Sequence, residues 1–379
     1  MDSDYRCKIA LRGCKSYDYP LVEEQIRLMI DDLGGMGKFV KQGQRVLIKP
    51  NLLIPRKNEK AVLTHPSVII ATAKIVLEQG AECSIGDGSM AGGTTACLKK
   101  IGALDELQKL GCKIVDFKET VMVKAEGNST YSEMEISKDI WEADAIINLP
   151  KAKTHCQMVV TLALKNTFGY IVGRRKSGWH LKAGQDNLQF ARMIYDLHYL
   201  KQPVLNILDA IVAMEGDGPA GGKPKELGFL MASENAVAMD TLTSLTFRIK
   251  PEQVHVLEVA KERGEFIKPE QWDISGDDWK TFLPSSFKPP KTVDMTGGYL
   301  PDFIANYLRK HFVSRPKPVI KLCEGCGLCA NVCPAKAISI KDGKAAIDAK
   351  KCIRCFCCLE ACKPKALKIT QGFGKLGFG

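Results

Sequence analysis

The chain has 379 residues, 45% of them hydrophobic, so it is long enough for two domains or for one large domain with an appendage. It contains no apolar run of about eighteen residues, and no membrane span is expected. The net charge of +11 is not arranged as an interleaved aromatic and basic run, which argues against nucleic-acid binding. The segment Met1–Cys7 lacks the apolar stretch that a secretory signal needs.

The first 310 residues alternate between strand-like and helix-like patterns. Amphipathic helical stretches occupy Pro66–Gln79, Asn187–Leu200 and Ala236–Ile249. The apolar, strand-like runs are Arg45–Ile48, Glu82–Ile85, Lys113–Phe117, Ala143–Leu149, Val204–Leu208 and Leu227–Met231. This alternation predicts an α/β fold, with a mostly parallel sheet covered by helices.

The alternation is lost after residue 265, which suggests a domain boundary further along the chain. We expect an α/β domain over residues 1–313, with an irregular crossing segment at 266–313, and a second, small α+β domain over residues 319–379. The connection around Ser314–Pro318 is short and stiffened by proline. It therefore predicts a docked second domain that buries Phe312, Val313, Val319 and Ile320 against the first.

Polar side chains follow four of the predicted strands. Lys49 and Asn51 follow the first strand, Asp87 the second and Asp209 a later one. A fourth strand leads into the extended segment Lys151–His155, where alternate residues face one way, so that Lys151, Lys153 and His155 line one wall. Open α/β sheets bind ligands beyond the carboxyl ends of their strands. The alternative is that these are the polar residues that loops after strands ordinarily contain, with no role in binding.

Two further segments add to this site. A helix after Val160 would place Thr161 and Lys165 one turn apart, with Asn166 beside them. His65 precedes the helix that starts at Pro66, where free amides favour an anion. Because the predicted site is rich in lysine and histidine, we expect a small anionic ligand, either a carboxylate or a phosphate.

Several segments together resemble the domain-of-unknown-function 362 family over roughly residues 7–250. They are Lys49–Asn51, Thr64–Pro66, Gly86–Asp87, Asn148–His155, Thr161–Gly169, Asp209–Gly222 and Val237–Asp240. Similar members often carry a C-terminal dicluster ferredoxin domain. On the strand ends and this resemblance together, the candidate catalytic residues are Lys49, Asp87, Lys151, Lys153, His155 and Lys165. The candidate ligand-binding residues are Asn51, His65, Asn166, Asp209 and Glu215.

Some single residues have a plainer interpretation. His180 and His198 fit structural roles better than site roles, and Cys156 fits a small packed thiol. Asp240 lies on an otherwise apolar helix, so we expect a buried polar partner for its carboxylate.

Nine of the fifteen cysteines lie in the last 57 residues, and eight of these fall into two copies of one spacing. The copies are Cys323, Cys326, Cys329 and Cys333, then Cys352, Cys355, Cys358 and Cys362. The alternative of two zinc knuckles would leave the third cysteine of each run surplus, and no histidine follows His311. Cys357 is interpreted as a packed thiol, although a register shift would exchange it with Cys358.

The tail resembles bacterial dicluster ferredoxins over residues 320–370, with Lys363 at a position where proline is usual. This resemblance implies two [4Fe–4S] clusters and a hairpin of Ile338–Ile340 with Ala345–Ile347. In such ferredoxins the fourth ligand of each cluster comes from the other run. One ligand set is then Cys323, Cys326, Cys329 and Cys362, and the other is Cys352, Cys355, Cys358 and Cys333. Labile clusters and the remaining cysteines fit the reducing cytoplasm of an anaerobic host.

Two functions remain open at this point. Either the chain is an iron–sulfur redox protein that passes low-potential electrons to or from an anion site on the α/β domain, or it is an adaptor that docks on a larger redox complex without its own turnover. Proximity of one cluster to Lys49, Asp87 and His155 would favour the first. Residues 316–379 hold twelve Lys and Arg against four Asp and Glu, which predicts a basic face for an acidic redox partner protein.

Overall fold

The computed structural model describes residues 6–57, 60–90, 92–125, 127–173, 175–184, 186–291 and 312–373. Its large domain is built on a main sheet, whose strands run in the spatial order β12-β1-β11-β10-β7-β2-β3-β4, with β8 and then β9 attached beside β10, while β5 and β6 form a separate antiparallel pair. Strand β11 is antiparallel to both of its neighbours and β9 to β8, and the other pairs in this sheet are parallel. The strand bounds are β1 (Cys7–Gly13), β2 (Arg45–Pro50), β3 (Glu82–Gly86), β4 (Lys113–Val115), β5 (Thr120–Lys124), β6 (Glu133–Ser137), β7 (Ala145–Leu149), β8 (Lys151–His155), β9 (Val159–Thr161), β10 (Leu205–Glu215), β11 (Lys223–Ser233) and β12 (Trp272–Gly276).

Helices cover the sheet. In the described residues, no helix has both the length and the apolar character that crossing a membrane requires. The helices of this domain are α1 (Tyr19–Asp32), α2 (Met36–Phe39), α3 (Pro66–Glu78), α4 (Gly93–Ile101), α5 (Leu104–Lys109), α6 (Lys138–Glu142), α7 (Ala163–Asn166), α8 (Arg175–Ala183), α9 (Asn187–Leu200), α10 (Ala236–Thr246) and α11 (His255–Glu262).

Both faces of the sheet are buried, which explains why its central strands read as continuous apolar runs. Val46 and Ile48 of β2 pack into the core formed with α1 and α3. Leu47, between them, packs into the opposite core formed with α9, α10 and α11. The predicted α/β class, mostly parallel and covered by helices, is confirmed.

The segment predicted as irregular contains an edge strand. Trp272–Gly276 pairs in parallel with β1, which the sequence analysis also missed. Both strands are difficult to recognise from the sequence because they are short, with seven residues in β1 and five in β12. Thr161 likewise ends a strand rather than beginning a helix. Residues 292–311 of the crossing segment lie outside the described residues.

The small domain, called the ferredoxin module below, contains two antiparallel strand pairs and two short helices. The hairpin predicted between Ile338–Ile340 and Ala345–Ile347 is present, and its turn residues Asp342 and Gly343 have φ of 48° and 70°. The segment predicted as a linker is instead a strand, paired with the last strand of the module, so the module begins before residue 319. Proline is tolerated there because the strand has only one partner. The elements are β13 (Phe312–Pro318), α12 (Leu328–Asn331), β14 (Ile338–Lys341), β15 (Lys344–Ile347), α13 (Cys357–Ala361) and β16 (Leu367–Phe373).

The ferredoxin module contacts the large domain through α13 and β16. Phe356 and Ile369 are buried against Cys156. Arg56 donates a hydrogen bond of 3.0 Å to the carbonyl of Cys362. Of the residues expected to make this contact, Ile320 is 52% exposed, and the side chains of Phe312 and Val313 lie outside the described part. The expected surface was therefore wrong for Ile320, because the strand leading into the module pairs within the module.

Candidate functional site

A cavity of about 60 Å³ lies where the carboxyl ends of several strands meet α8 and the ferredoxin module. We call it the central cavity. Six residues predicted from the sequence line it: Asn51, Asp87, Lys153, His155, Lys165 and Asn166. The structure adds Thr161 as a strand residue, Lys176 and His180 from α8, and Cys357 and Glu360 from the module. His180 thus lies at the site rather than in a purely structural position.

Lys49 and Asp87 form a buried ion pair at one edge of the cavity. The Lys49 Nζ lies 2.7 Å from Asp87 Oδ1, and both side chains are almost fully buried. Burial lowers the pKa of Lys49, and the Asp87 carboxylate opposes that shift. A Cβ on Gly169 would lie 2.0 Å from Asp87 Oδ1 and 2.4 Å from Lys49 Nζ. Only glycine fits there, so Gly169 is the residue that lets the pair form.

A chain of buried side-chain amides runs away from Lys153. Lys153 Nζ donates to Asn51 Oδ1 at 2.5 Å and also to the carbonyl of Val62 at 2.7 Å. Each amide then donates to the oxygen of the next, from Asn51 to Asn166, to Asn148 and to Asn206, over distances of 2.7, 2.7 and 2.8 Å. The last amide donates to the carbonyl of Ser233. Lys153 is thus held by neutral acceptors rather than by a carboxylate.

Two lysines of the central cavity have no polar partner among the residues that the structure describes. Within the described residues, Lys165 and Lys176 have no hydrogen-bond acceptor or ion-pair partner. Their amines lie over the Phe168 ring, at 4.3 and 5.6 Å from its centroid. Burial lowers the pKa of each to about 8, and that of Lys153 to about 7. A small anion would supply the acceptors that these amines lack.

Two neutral polar atoms of the same cavity are also without partners. Thr161 Oγ1 and His180 Nδ1 are buried and have no hydrogen bond among the described residues. Burial lowers the pKa of His180 to about 3, so its imidazole is neutral. It stacks on Phe190 with ring centroids 4.3 Å apart. Buried polar atoms are rarely left unsatisfied, so these two indicate a site for a bound molecule.

His155 joins the large domain to the ferredoxin module. Its Nδ1 accepts hydrogen bonds from the backbone N–H groups of Gln157 and Met158, so its Nε2 carries the proton and lies 3.3 Å from Glu360 Oε1. Burial pushes the pKa of Glu360 upward, but the hydrogen bond to His155 and the charge of Lys165 outweigh it and lower the pKa to about 2. The module therefore contributes a fixed negative charge to the cavity.

Five predicted site residues do not line the central cavity: Lys49, which is paired with Asp87 at its edge, and Lys151, His65, Asp209 and Glu215. Lys151 Nζ lies 2.8 Å from Asp209 Oδ2, and Tyr17 bridges them by accepting from Lys151 and donating to Asp209. The backbone N–H of His65 donates to Asp209 as well, so the anion expected at this helix N-terminus is the protein's own carboxylate. Glu215 instead accepts from the backbone of Lys288. These placements correct the expected wall of Lys151, Lys153 and His155.

Asp240 has the buried partners that its position on an apolar helix requires. Its two carboxylate oxygens accept from the backbone N–H groups of Ala163 and Leu164, at 2.7 and 3.1 Å. Burial raises its pKa to about 8, and the two amides oppose this shift. Because these amides open α7, Asp240 orients the helix that carries Lys165 and Asn166.

The ferredoxin module contains two further cavities of about 20 Å³ each, both lined by cysteines. Backbone N–H groups point at three of the sulfurs, as in Ala337 to Cys333 at 3.2 Å. The first cavity is lined by Cys323, Cys326, Cys329 and Cys362, and the second by Cys333, Cys352, Cys355 and Cys358. These two sets are those that the ferredoxin resemblance implies, and each surrounds a volume, as a multi-atom cluster requires.

Cys357 lies between the second of these cavities and the central cavity, and it lines both. No local pattern could have placed it there, because the large-domain residues that line the central cavity, from Asn51 to Pro219, come far earlier in the chain. The sequence analysis interpreted this cysteine as a packed thiol, with exchange for Cys358 by a register shift as the alternative.

The fold and the cysteine-lined cavities together define an α/β protein with an iron–sulfur electron-transfer domain. The family described as "Domain of unknown function (DUF362)" matches residues 46–244, and "4Fe-4S dicluster domain" matches residues 317–363. The chain belongs to the DUF362 family, as the sequence motifs predicted, and it carries a C-terminal 4Fe-4S dicluster domain.

A curated relative covers most of the chain. "Thylakoid-associated protein sll1697" of Synechocystis sp. is 32% identical over 299 residues, which are 76% of this chain and 92% of the relative. Among solved structures, the lactate racemase apoprotein of Thermoanaerobacterium thermosaccharolyticum has a TM-score of 0.39 at 13% identity, over 66% of this chain and 59% of that one. A Thermotoga maritima protein gives the same TM-score and identity over 63% and 60%. The chain thus spans about three fifths of both structures, and likeness at this level does not bear on function.

We expect Gly169→Ala to destabilise the protein by about 1–3 kcal/mol, because the added methyl group overpacks the Lys49–Asp87 pair. The midpoint of anaerobic thermal unfolding should fall by several degrees. Gly178→Ala is the matched control, since nothing lies within 4 Å of its Cβ position in α8, and alanine there should stabilise the helix by about 0.5–1 kcal/mol. Equal midpoints for the two variants would contradict the assigned close approach.

We expect the affinity of the central cavity for small anions to fall as the pH rises above about 7. The pKa values of Lys153, Lys165 and Lys176 are about 7, 8 and 8, so these amines lose their positive charge through that range. A bound anion favours the charged amines, and binding should therefore take up protons. Calorimetric titration with phosphate and oxalate, in buffers of different ionisation enthalpy, measures both effects. An affinity that rises with pH would contradict this assignment.

Proposed function

We propose that this protein is an iron–sulfur redox protein that exchanges low-potential electrons with a small anion bound in the central cavity. The observation that carries the proposal is the position of Cys357, which lines both the central cavity and the cavity of the second cysteine set. Glu360 of the same helix reaches His155 across the contact between the domains. Such proximity of a cysteine set to His155 favours a redox site over an adaptor.

The cysteine-lined cavities support the two proposed ligand sets, each made of three cysteines from one run and one from the other. Bound [4Fe–4S] clusters would supply one-electron transfers at low potential. The part played by the protein at the central cavity is to bind the anion, hold it near the second set, and keep water away.

The proposed anion site consists of the groups that lack partners. Lys165 and Lys176 provide positive charge, and Thr161 Oγ1 and His180 Nδ1 provide neutral contacts. Their burial strengthens every electrostatic contact with the ligand, because little water screens it. Lys153, with its pKa of about 7, is suited to exchange a proton with the bound anion near neutral pH.

We further propose a reducing compartment such as the cytoplasm. All fifteen cysteines lie in the described residues and none is joined in a disulfide bond, as is usual for proteins of reducing compartments. The curated relative is named for an association with thylakoids, which would suit attachment to a membrane surface as well. Fractionation of cells under anaerobic conditions decides between a cytoplasmic protein and one attached to a membrane surface.

Electron paramagnetic resonance of the reduced protein tests the central-cavity proposal. Small carboxylates and phosphate should shift the signal of one cluster and leave the other unchanged, because only the second cysteine set borders the cavity. The double variant Lys165→Gln and Lys176→Gln should lose the shift and weaken binding at least tenfold, since two charge-assisted contacts disappear. Lys182→Gln, an exposed lysine on the same helix as Lys176, should keep both.

If no anion binds, or if bound anions change neither signal, the central cavity has no redox role. The adaptor function is then the better description of the chain. If anions bind but the spectrum of the clusters does not change, the cavity is a ligand site that takes no part in electron transfer.

Metal analysis tests the ligand sets. The protein prepared anaerobically should hold roughly eight iron and eight sulfide ions, from two four-iron clusters. Cys326→Ser and Cys358→Ser should each degrade one cluster, and different ones, because they belong to different sets. Cys357→Ser is the matched control, and it should keep both clusters. Zinc in place of iron, or loss of a cluster from Cys357→Ser with Cys358→Ser intact, would overturn the assignment.

A further inference from the structure

The first cysteine set faces away from the central cavity. Every residue that lines its cavity belongs to the ferredoxin module, and Cys326 is exposed to solvent. The cavity of the second set, by contrast, shares Cys357 with the central cavity. The two sets therefore have different surroundings, one reachable by another protein and the other by a buried ligand.

An exposed apolar patch surrounds the first set. Ile320, Leu322 and Ile340 are 52%, 48% and 38% exposed, and they account for three of the eight large hydrophobic side chains exposed in the described part of the chain. Ile340 lines the cavity of the first set directly, and Leu322 precedes its ligand Cys323. Exposed apolar groups gathered at one place mark interaction surfaces more often than scattered ones do.

Exposed lysines accompany this patch. Lys321 stands between Ile320 and Leu322, Lys341 follows Ile340, and Lys363 follows the ligand Cys362. Nearby acidic residues are Glu324, which lines the same cavity, and Asp342 in the hairpin turn. The amine of Lys344 is already engaged, since it donates to the carbonyl of Cys323 at 2.6 Å. The patch is thus an apolar centre with a mainly basic rim.

We propose that this patch, named the exchange face and formed by Ile320, Leu322, Ile340, Lys321, Lys341 and Lys363, docks an acidic electron-carrier protein. A basic rim attracts an acidic partner and orients it before contact, and a small apolar centre suits a transient complex. A second copy of this chain is a poorer occupant, because two basic rims would repel each other. The proposal concerns the partner of the first cysteine set and holds whichever anion the central cavity binds.

The test uses the full-length holoprotein and a purified acidic plant-type ferredoxin as the probe. The triple variant Lys321→Glu, Lys341→Glu and Lys363→Glu should bind the probe at least tenfold more weakly at low ionic strength, and the difference should shrink as salt is added. The matched control makes the same charge change at exposed lysines on large-domain helices, Lys99, Lys109 and Lys261, and should bind within about twofold of the parent.

A second variant tests the apolar centre. Ile320→Ser changes a half-exposed side chain, so folding should be unaffected, and it should weaken binding to a similar extent at low and high salt. Iron content is measured for every variant, and each should retain both clusters. The rate of cluster reduction by dithionite, which needs no protein docking, should change much less than the rate of reduction by the ferredoxin.

Three outcomes overturn the proposal. Equal weakening by the control triple variant would show that only total charge matters. The double variant Lys350→Glu and Lys351→Glu changes two lysines beside the other cysteine run. If it weakens binding of the probe and the exchange-face variant does not, docking occurs at the second set. Concentration-dependent dimers that Ile320→Ser abolishes, with no binding of the probe, would make this face an interface between copies of the chain.

Discussion

The need to neutralise buried lysine amines organises the carboxyl edge of the sheet. An ammonium group buried without compensation costs several kcal/mol, and removing one partner of a buried pair costs about 3–5 kcal/mol. Lys49 and Lys151 are satisfied by Asp87, which directly follows β3, and by Asp209, which lies within β10 opposite Lys151. The sheet order brings these strand ends together. The sequence therefore carries its lysines and carboxylates on separate strands that become adjacent only in the folded state.

The two domains divide the remaining charge between them. The large domain supplies Lys153, Lys165 and Lys176, and the only carboxylate it adds to the cavity lining, Asp87, is already paired. The ferredoxin module supplies Glu360, which lies against His155. Without the module, three buried amines would share one wall with no acidic neighbour of their own. Docking of the module is thus favoured by electrostatics as well as by the apolar contact around Phe356.

Strand-end reasoning from the sequence located much of the site, because the carboxyl ends of parallel strands meet at one edge. The same reasoning could not predict which of Lys151 and Lys153 pairs with Asp209. The register of β8 against β10 decides this, and it places Lys151 opposite Asp209. Lys176 and Glu360 come from a short polar helix and from a distant module, and neither has a local signal. The ferredoxin resemblance implied the grouping of the cysteines into two crossed sets, and the same sets line the two cavities of the module.

The asparagine chain has a consequence for the electrostatics of Lys153. All four amides point the same way, with each oxygen toward the lysine and each nitrogen away from it. An amide carries a dipole of about 3.5 D, and dipoles aligned head to tail add. The row of amides therefore acts like the C-terminal end of a helix dipole, with its negative end against the amine of Lys153. It stabilises a cation without placing a fixed anion beside the ligand, so an incoming negative group meets attraction from Lys153 and no competing charge from the row.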